Sequence, residues 1–141
     1  MEKIIINAEN TVLGRLASYA AKKALLGNEV IILNAEKIII SGTKERVLAN
    51  LKKKLKTRTL GNIKKGPTHP RRADTYVRRV IRGMLPWKQP KGKEAFKRIK
   101  TFIGIPEDYR DENIIIVKEL DSLKLNCPTV SIVKLSKEIG G

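Results

Sequence analysis

Arginines 78, 79 and 82 set the first chemical question. They lie in RRADTYVRRVIRGMLPWK, residues 71–88, where six cationic side chains (Arg71, Arg72, Arg78, Arg79, Arg82 and Lys88) face a single acid, Asp74. A guanidinium is planar and always charged, and its paired N–H donors match two phosphate oxygens at once. The same segment spaces Tyr76, Val77, Val80, Ile81 and Met84 as one face of a helix. The Tyr76/Val80/Met84 seam is therefore expected to hold the helix on a folded body, with Arg78, Arg79 and Arg82 projecting from the opposite side. A merely solvated face would mix charge signs; this one does not.

The rest of the charge supports the same chemistry. The 141 residues carry a formal net charge of +16. Lys+Arg against Asp+Glu runs 7 to 5 in residues 1–51, 18 to 2 in residues 52–100, and 5 to 7 in residues 101–141. The flanks cancel and the whole excess sits in the middle. Such concentrated self-repulsion opposes compaction unless a polyanion neutralises it, and each phosphate contact also releases a condensed counterion. An anionic membrane would call for apolar anchors beside the cations. No apolar run reaches the roughly 18 residues that cross a bilayer, and MEKIIIN is too short for a signal peptide. Nucleic acid is the stronger reading. The candidate contacts outside residues 71–88 are Lys52, Lys53 and Lys56, then Arg58, Lys64, Lys65 and His69, and finally Lys93, Lys97, Arg98 and Lys100. His69 suits stacking or hydrogen bonding, and Trp87 suits core packing and base stacking equally.

Catalytic chemistry has little to stand on. One cysteine and one histidine make a zinc site or a Cys/His nucleophile pair improbable, and Cys127 reads as a small buried hydrophobe. The first strand leads into NAENTVLG, without the glycine-rich turn of a dinucleotide site. SGTK, residues 41–44, lacks phosphate-loop spacing and reads as plain helix entry. Asp74 is expected to help begin its helix and Glu94 to pair with a neighbouring lysine; neither has a partner for acid–base work. No cofactor and no small-molecule substrate are expected. Aromatics make up 4% of the chain and form no paired display, and neither zinc-finger nor helix-turn-helix spacing occurs. Recognition of structured RNA by backbone and shape remains. The alternatives are a nucleotide-dependent or RNA-modifying enzyme on a Rossmann-like core and a general nucleic-acid-compacting protein.

The elements that must position these residues can be read in order. KIIIN (3–7) and EVIILN (29–34) are buried strands. Between them lies a helix with Leu13, Leu16, Ala17, Ala20, Ala24 and Leu25 inward, capped by Asn10 or Thr11 and ended by Gly27. That order is a βαβ unit with parallel strands. Ile38–Ile40 gives a third strand, and a helix from about Thr43 buries Val47, Leu48, Leu51 and Leu55. Residues 57–72, punctuated by Gly61, Gly66, Pro67 and Pro70, form a basic loop. After the arginine helix, which Leu85-Pro86 ends, a short helix is expected over 92–99 with Ala95, Phe96 and Ile99 inward, then a strand over 101–104. PEDYRDEN is a solvated acidic loop, NIIIVK (113–118) another strand, and VKLSKEIG (133–140) a terminal helix. A single domain over 1–141 is expected, with its basic region at 52–100 and an acidic-to-neutral extension at 107–141.

TVLGRLAS (11–18), IILNAEKIIISGTK (31–44), IRGMLPWK (81–88) and GKEAFKRIKTFIGIP (92–106) occur together in an order that resembles the large-subunit ribosomal protein thirteen family. KKGPTHPRRADTYVRRVIRGM and KLSKEIG are closer to its archaeal and eukaryotic branch. The resemblance implies a three-layer α/β/α core with a four-stranded parallel sheet. It also implies a non-enzymatic cytoplasmic role as a monomer in the large ribosomal subunit, binding ribosomal RNA early in assembly beside neighbouring ribosomal proteins. By that resemblance Arg71, Arg72, Arg78, Arg79, Arg82 and Lys88 face RNA, joined by Lys91, Lys93, Lys97 and Arg98.

Overall fold

The computed structural model describes residues 1–141. Strand β1 (Lys3–Asn7) pairs in parallel with β2 (Glu29–Leu33), and helix α1 (Leu13–Leu25) connects them, as the alternation of apolar runs predicts. On α1, Leu13 and Leu16 are buried with Ala17, Ala20, Ala21 and Ala24, so a mostly alanine face lets the helix approach the sheet closely. Neither Asn10 nor Thr11 caps it. Val12 occupies the cap position, while the Thr11 hydroxyl donates to the Ala8 carbonyl and Asn10 adopts φ 56°. At the far end Gly27, at φ 99°, donates to Ala24 O and Asn28 to Lys23 O, which satisfies the last carbonyls.

The chain then departs from the expected order. Asn34 takes a left-handed conformation, and a single 3-10 turn over Ala35–Lys37 swings the next strand out of the sheet. Strand β3 (Ile39–Ser41) instead pairs antiparallel with β6 (Thr129–Ser131). Beside β1 lies β5 (Ile114–Ile115), and with β4 (Ile99–Thr101) the four-stranded parallel sheet runs β4–β2–β1–β5. Helix α2 spans Lys44–Lys56 and α3 spans Ala73–Gly83. Helix α4 covers Pro90–Lys97, two residues earlier than expected at both ends, because Pro90 starts the helix rather than closing the preceding turn. Strand β4 (Ile99–Thr101) moves forward with it. The terminal helix α5 is Ile132–Glu138.

Alternation along the strands divides the core. Ile4, Ile6, Val30 and Ile32 face α1, α3 and α4 in a cluster of 21 buried residues. Ile5, Ile31 and Leu33 face the other way, onto Phe102, Tyr109 and Ile114. The three-layer α/β arrangement holds, with the third layer supplied by that segment and its 3-10 turn at Glu107–Tyr109. Cys127 is exposed, not buried: it sits beside Pro128 in the loop leading to β6, where Val130 supplies the apolar contact.

Gly92 fixes how α4 meets the turn before it. A Cβ there would overlap the Pro86 carbonyl and crowd the Trp87 amide, which are backbone atoms with nowhere to go. Gly92→Ala should therefore destabilise the fold by about 2 kcal/mol or more, the scale of overpacking in a buried site. Urea unfolding followed through Trp87, the sole tryptophan, measures this; an unchanged midpoint would show that the turn does not depend on the close approach.

Candidate nucleic-acid interface

Helix α3 carries the site, and its orientation differs from the sequence-based expectation. The stripe that anchors it is Ala73, Val77 and Ile81, spaced four apart and buried. Tyr76 and Val80 flank that stripe half-buried, whereas Met84, expected in the seam, is exposed. Rotating the stripe in this way puts the three arginines in different environments. Arg79 is exposed with no hydrogen bond or ion pair. Arg78 and Arg82, one turn apart, lie half-buried along the flank that meets α4.

There the two guanidiniums rest on rings. The Arg78 guanidinium carbon is 4.6 Å from the centre of Phe96, and that of Arg82 is 4.1 Å from Trp87. The rings meet edge to face, with centroids 5.2 Å apart and planes at 86°. Each contact contributes about 0.5–1 kcal/mol at an exposed site and more where water is excluded. The chemical consequence is larger than the energy. Stacking fixes the planes of two long side chains in advance, so little rotamer freedom remains to be lost when an anion binds. The Arg78 Nε is buried without a partner, as is Asp74 Oδ1. Trp87 thus serves packing and cation support together. Phe96, read from the sequence as a core residue only, is the platform that sequence reasoning missed; its i, i+1 position beside Ala95 gave a core signal and no stacking signal.

The other expected contacts fall into two groups. Lys52, Lys53, Lys56, Arg58, Lys64 and Lys65 are exposed on α2 and the loop, and Lys88, Lys91, Lys93 and Lys97 on and before α4; none is ion-paired. Lys91 and Lys93 stand in the first turn of α4, which holds no acid. Cations there oppose the positive end of the helix dipole. The second group is engaged within the chain. Arg71 donates to Ile139 O at 2.9 Å, and its own carbonyl accepts from the Ser136 hydroxyl, which fastens α5 to the start of α3. Arg72 pairs with Asp74 at 3.2 Å, and Arg98 donates to Ala24 O at the end of α1. Lys100 bonds Glu29 at 2.6 Å, and that carboxylate holds its ammonium above the ordinary range. His69 Nε2 meets Thr57 O at 2.9 Å, so the nitrogen donates and closes the neck of loop 57–72. Glu94 forms no ion pair, contrary to expectation, since its lysine neighbours extend into solvent.

Of the 18 cations in residues 52–100, only Arg72 and Lys100 are ion-paired, leaving 16 (18 − 2) without a carboxylate. No group of three or more His, Cys, Asp or Glu side chains could hold a metal, and no helix is long and apolar enough to cross a membrane. The arrangement defines a class, a small α/β protein built round an electrostatic face. Residues 1–108 match the family described as Ribosomal protein L13, and the chain belongs to that family, whose members are structural components of the ribosome and not enzymes. It is 46% identical over 138 residues to the large ribosomal subunit protein uL13 of Methanococcus maripaludis, covering 97% of each chain. The protein of that name from Methanocaldococcus jannaschii is 41% identical over 138 residues, 96% of each chain. That from Sulfurisphaera tokodaii is 39% identical over 139 residues, 98% of this chain and 94% of its own. The likeness is to the archaeal type.

Two measurements probe the site. Phe96→Leu removes the ring beneath Arg78 and the edge partner of Trp87, and should cost about 1–2 kcal/mol in urea unfolding with a red shift of Trp87 emission. An unshifted spectrum would mean that the stack does not form. Burial raises the Tyr76 hydroxyl above its ordinary 10.0, so as pH rises the unfolded chain gives up this proton first. The stability associated with the neutral phenol is full below about pH 10 and is lost as pH climbs from there through the raised folded value. Between about pH 9 and 11 the unfolding midpoint of Tyr76→Phe should fall less than that of the native chain; equal falls would refute the assignment.

Proposed function

We propose that the chain is a structural constituent of the large ribosomal subunit, binding folded ribosomal RNA through phosphate contacts and joining the subunit early in its assembly. The observation that carries this reading is the set of 16 uncompensated cations in residues 52–100, two of them stacked on Trp87 and Phe96. A surface of one sign on a stable core repels itself in solution and is relieved by a polyanion. Lys91 and Lys93, unfavourably placed on the α4 dipole, become favourable once a phosphate lies at that helix end. Names of the relatives agree with this location, each being a large ribosomal subunit protein. The whole chain acts as one folded unit, a monomer within the cytoplasmic ribosome. The acidic stretch Glu107–Glu112 repels RNA, so that side is left to neighbouring subunit proteins.

The structure decides which substitutions test this cleanly. Reversing Arg78 or Arg82 would break the stack and confuse folding with binding. Arg79, Lys88 and Lys93 are exposed and unpaired, so Arg79→Ala, Lys88→Ala and Lys93→Ala should leave the melting temperature nearly unchanged. Each should weaken binding to a large-subunit rRNA transcript and lower the slope of log K against log salt by about one. Filter binding from 50 to 200 mM salt reads both quantities. A triple variant with the native slope would remove this face from the interface.

A further inference from the structure

A groove of about 530 Å³ separates α2 from α3 beneath loop 57–72. Its walls are Leu51 and Leu55 of α2, Tyr76 and Val80 of α3, and Pro67 and Pro70 of the loop. Its volume lies within the roughly 300–1,000 Å³ of small-ligand pockets. Of its polar side chains, His69 and Thr57 bond backbone carbonyls, whereas Lys54, Thr68, Tyr76 and Arg79 bond nothing else in the chain. The Tyr76 hydroxyl is half-buried yet has no hydrogen-bond partner in the protein, and Lys54 and Arg79 line the groove without an ion pair. Apolar walls, the free hydroxyls of Tyr76 and Thr68, and cations together suit a flat heteroaromatic ring with an anionic tail, which is an unstacked nucleotide.

Gly83 supplies an independent observation. It closes α3 with an ordinary helical φ, and a Cβ built on it meets nothing within 4 Å. Neither backbone conformation nor internal crowding calls for glycine, the poorest helix former apart from proline. The bare Cα there leaves room for close approach by another body. Gly83 and Arg79 also line a second, shallower groove with Arg82, Trp87 and Lys88. They are therefore the ridge between the two grooves, and the ridge is lowest at the glycine.

We propose that the α2–α3 groove takes up one unpaired nucleobase of the bound RNA, with the adjoining phosphodiester crossing α3 at Gly83 into the groove of Arg82 and Lys88. The base lies between the aliphatic and proline walls, its edge hydrogen-bonds Tyr76, and Arg79 and Lys54 hold the flanking phosphates. This rests on the RNA-binding reading above and adds to phosphate contact a place where a single base is removed from its stack.

The test uses the full chain with a large-subunit rRNA transcript, base-specific chemical probing and filter binding. Gly83→Leu fills the crossing point while improving helix propensity. It should melt no lower than the native chain, bind the transcript at least tenfold more weakly, and restore reactivity at an unpaired base that the native chain protects. Tyr76→Phe, which keeps the ring, should bind about threefold to tenfold more weakly with an unchanged salt slope and partial return of that reactivity. If both variants bind and protect as the native chain does, the groove is not a base site and the proposal falls, while the phosphate reading stands. If the native chain itself shows no salt-dependent preference for the transcript over duplex DNA, the functional reading fails first and this proposal with it.

Discussion

Repulsion among the cations of residues 52–100 is the constraint around which the remaining structure is arranged. Only Asp74 and Glu94 lie among them, and at helical spacing the Cβ atoms that carry neighbouring charges are about 5–6 Å apart. That is inside the roughly 8 Å Debye length at physiological ionic strength, so salt does not remove the problem. Apolar burial must hold the segment instead. Ala73, Val77 and Ile81 sink α3 into the same 21-residue cluster that contains Ile4, Ile6 and the alanine face of α1. The core under the least acidic part of the chain is thus the β1–α1–β2 unit, which is nearly neutral. Stability comes from one part and charge from another.

Within the basic region, the cations with internal partners sit mainly at the two ends of the α3–α4 segment. Arg71 and Arg72 stand where loop 57–72 enters α3, Arg98 and Lys100 where the chain returns to the sheet. Each ties the region to a different element: α5, the first turn of α3, the end of α1, and β2. Between those ends Arg78 and Arg82 have aromatic supports, whereas the lysines of α4, like those of α2 and the loop before it, have none. Residue type follows this division. Guanidinium stacks on rings and keeps its in-plane donors free, whereas an ammonium is a strongly hydrated point charge on a flexible stem. Arginine is used where a plane must be fixed, lysine where only charge is needed.

The apolar periodicity of the sequence marked out β1, α1, β2 and α3 because each buries apolar residues at a spacing set by its own geometry. Helix α2 was marked out too, but of Val47, Leu48, Leu51 and Leu55 only Leu51 is buried, because the helix packs at the rim of the core. The edges of the sheet were not legible in the same way. Ile38–Ile40 and NIIIVK are equally good short apolar runs, and nothing local says which one pairs with β1. That choice is made by the left-handed Asn34 and by the antiparallel partner 90 residues downstream, Ser131 opposite Ile39 with Val130 opposite Ile40. The site was legible in kind and not in detail. Charge and residue type identified the arginines, but stacking on Phe96 depends on how α4 packs, and that is set by Gly92 lying against Pro86. A close approach between backbone atoms leaves no periodic trace in a sequence.

The same charges enter two equilibria with opposite dependence on salt. In the isolated chain, added salt screens the 16 uncompensated cations from one another and favours the compact state. Under the proposed reading, added salt also removes the entropy gained when counterions leave the RNA, so the complex weakens as the free protein becomes firmer. A fold held by charge complementarity inside the chain would weaken in both states together. The difference arises because acids are nearly absent from the basic region, where each added carboxylate would ease the free fold and at the same time displace a phosphate. Exposed acids are accordingly scarce within residues 52–100, where Glu94 is the one example, and Glu107, Asp108 and Asp111, all exposed, lie outside them.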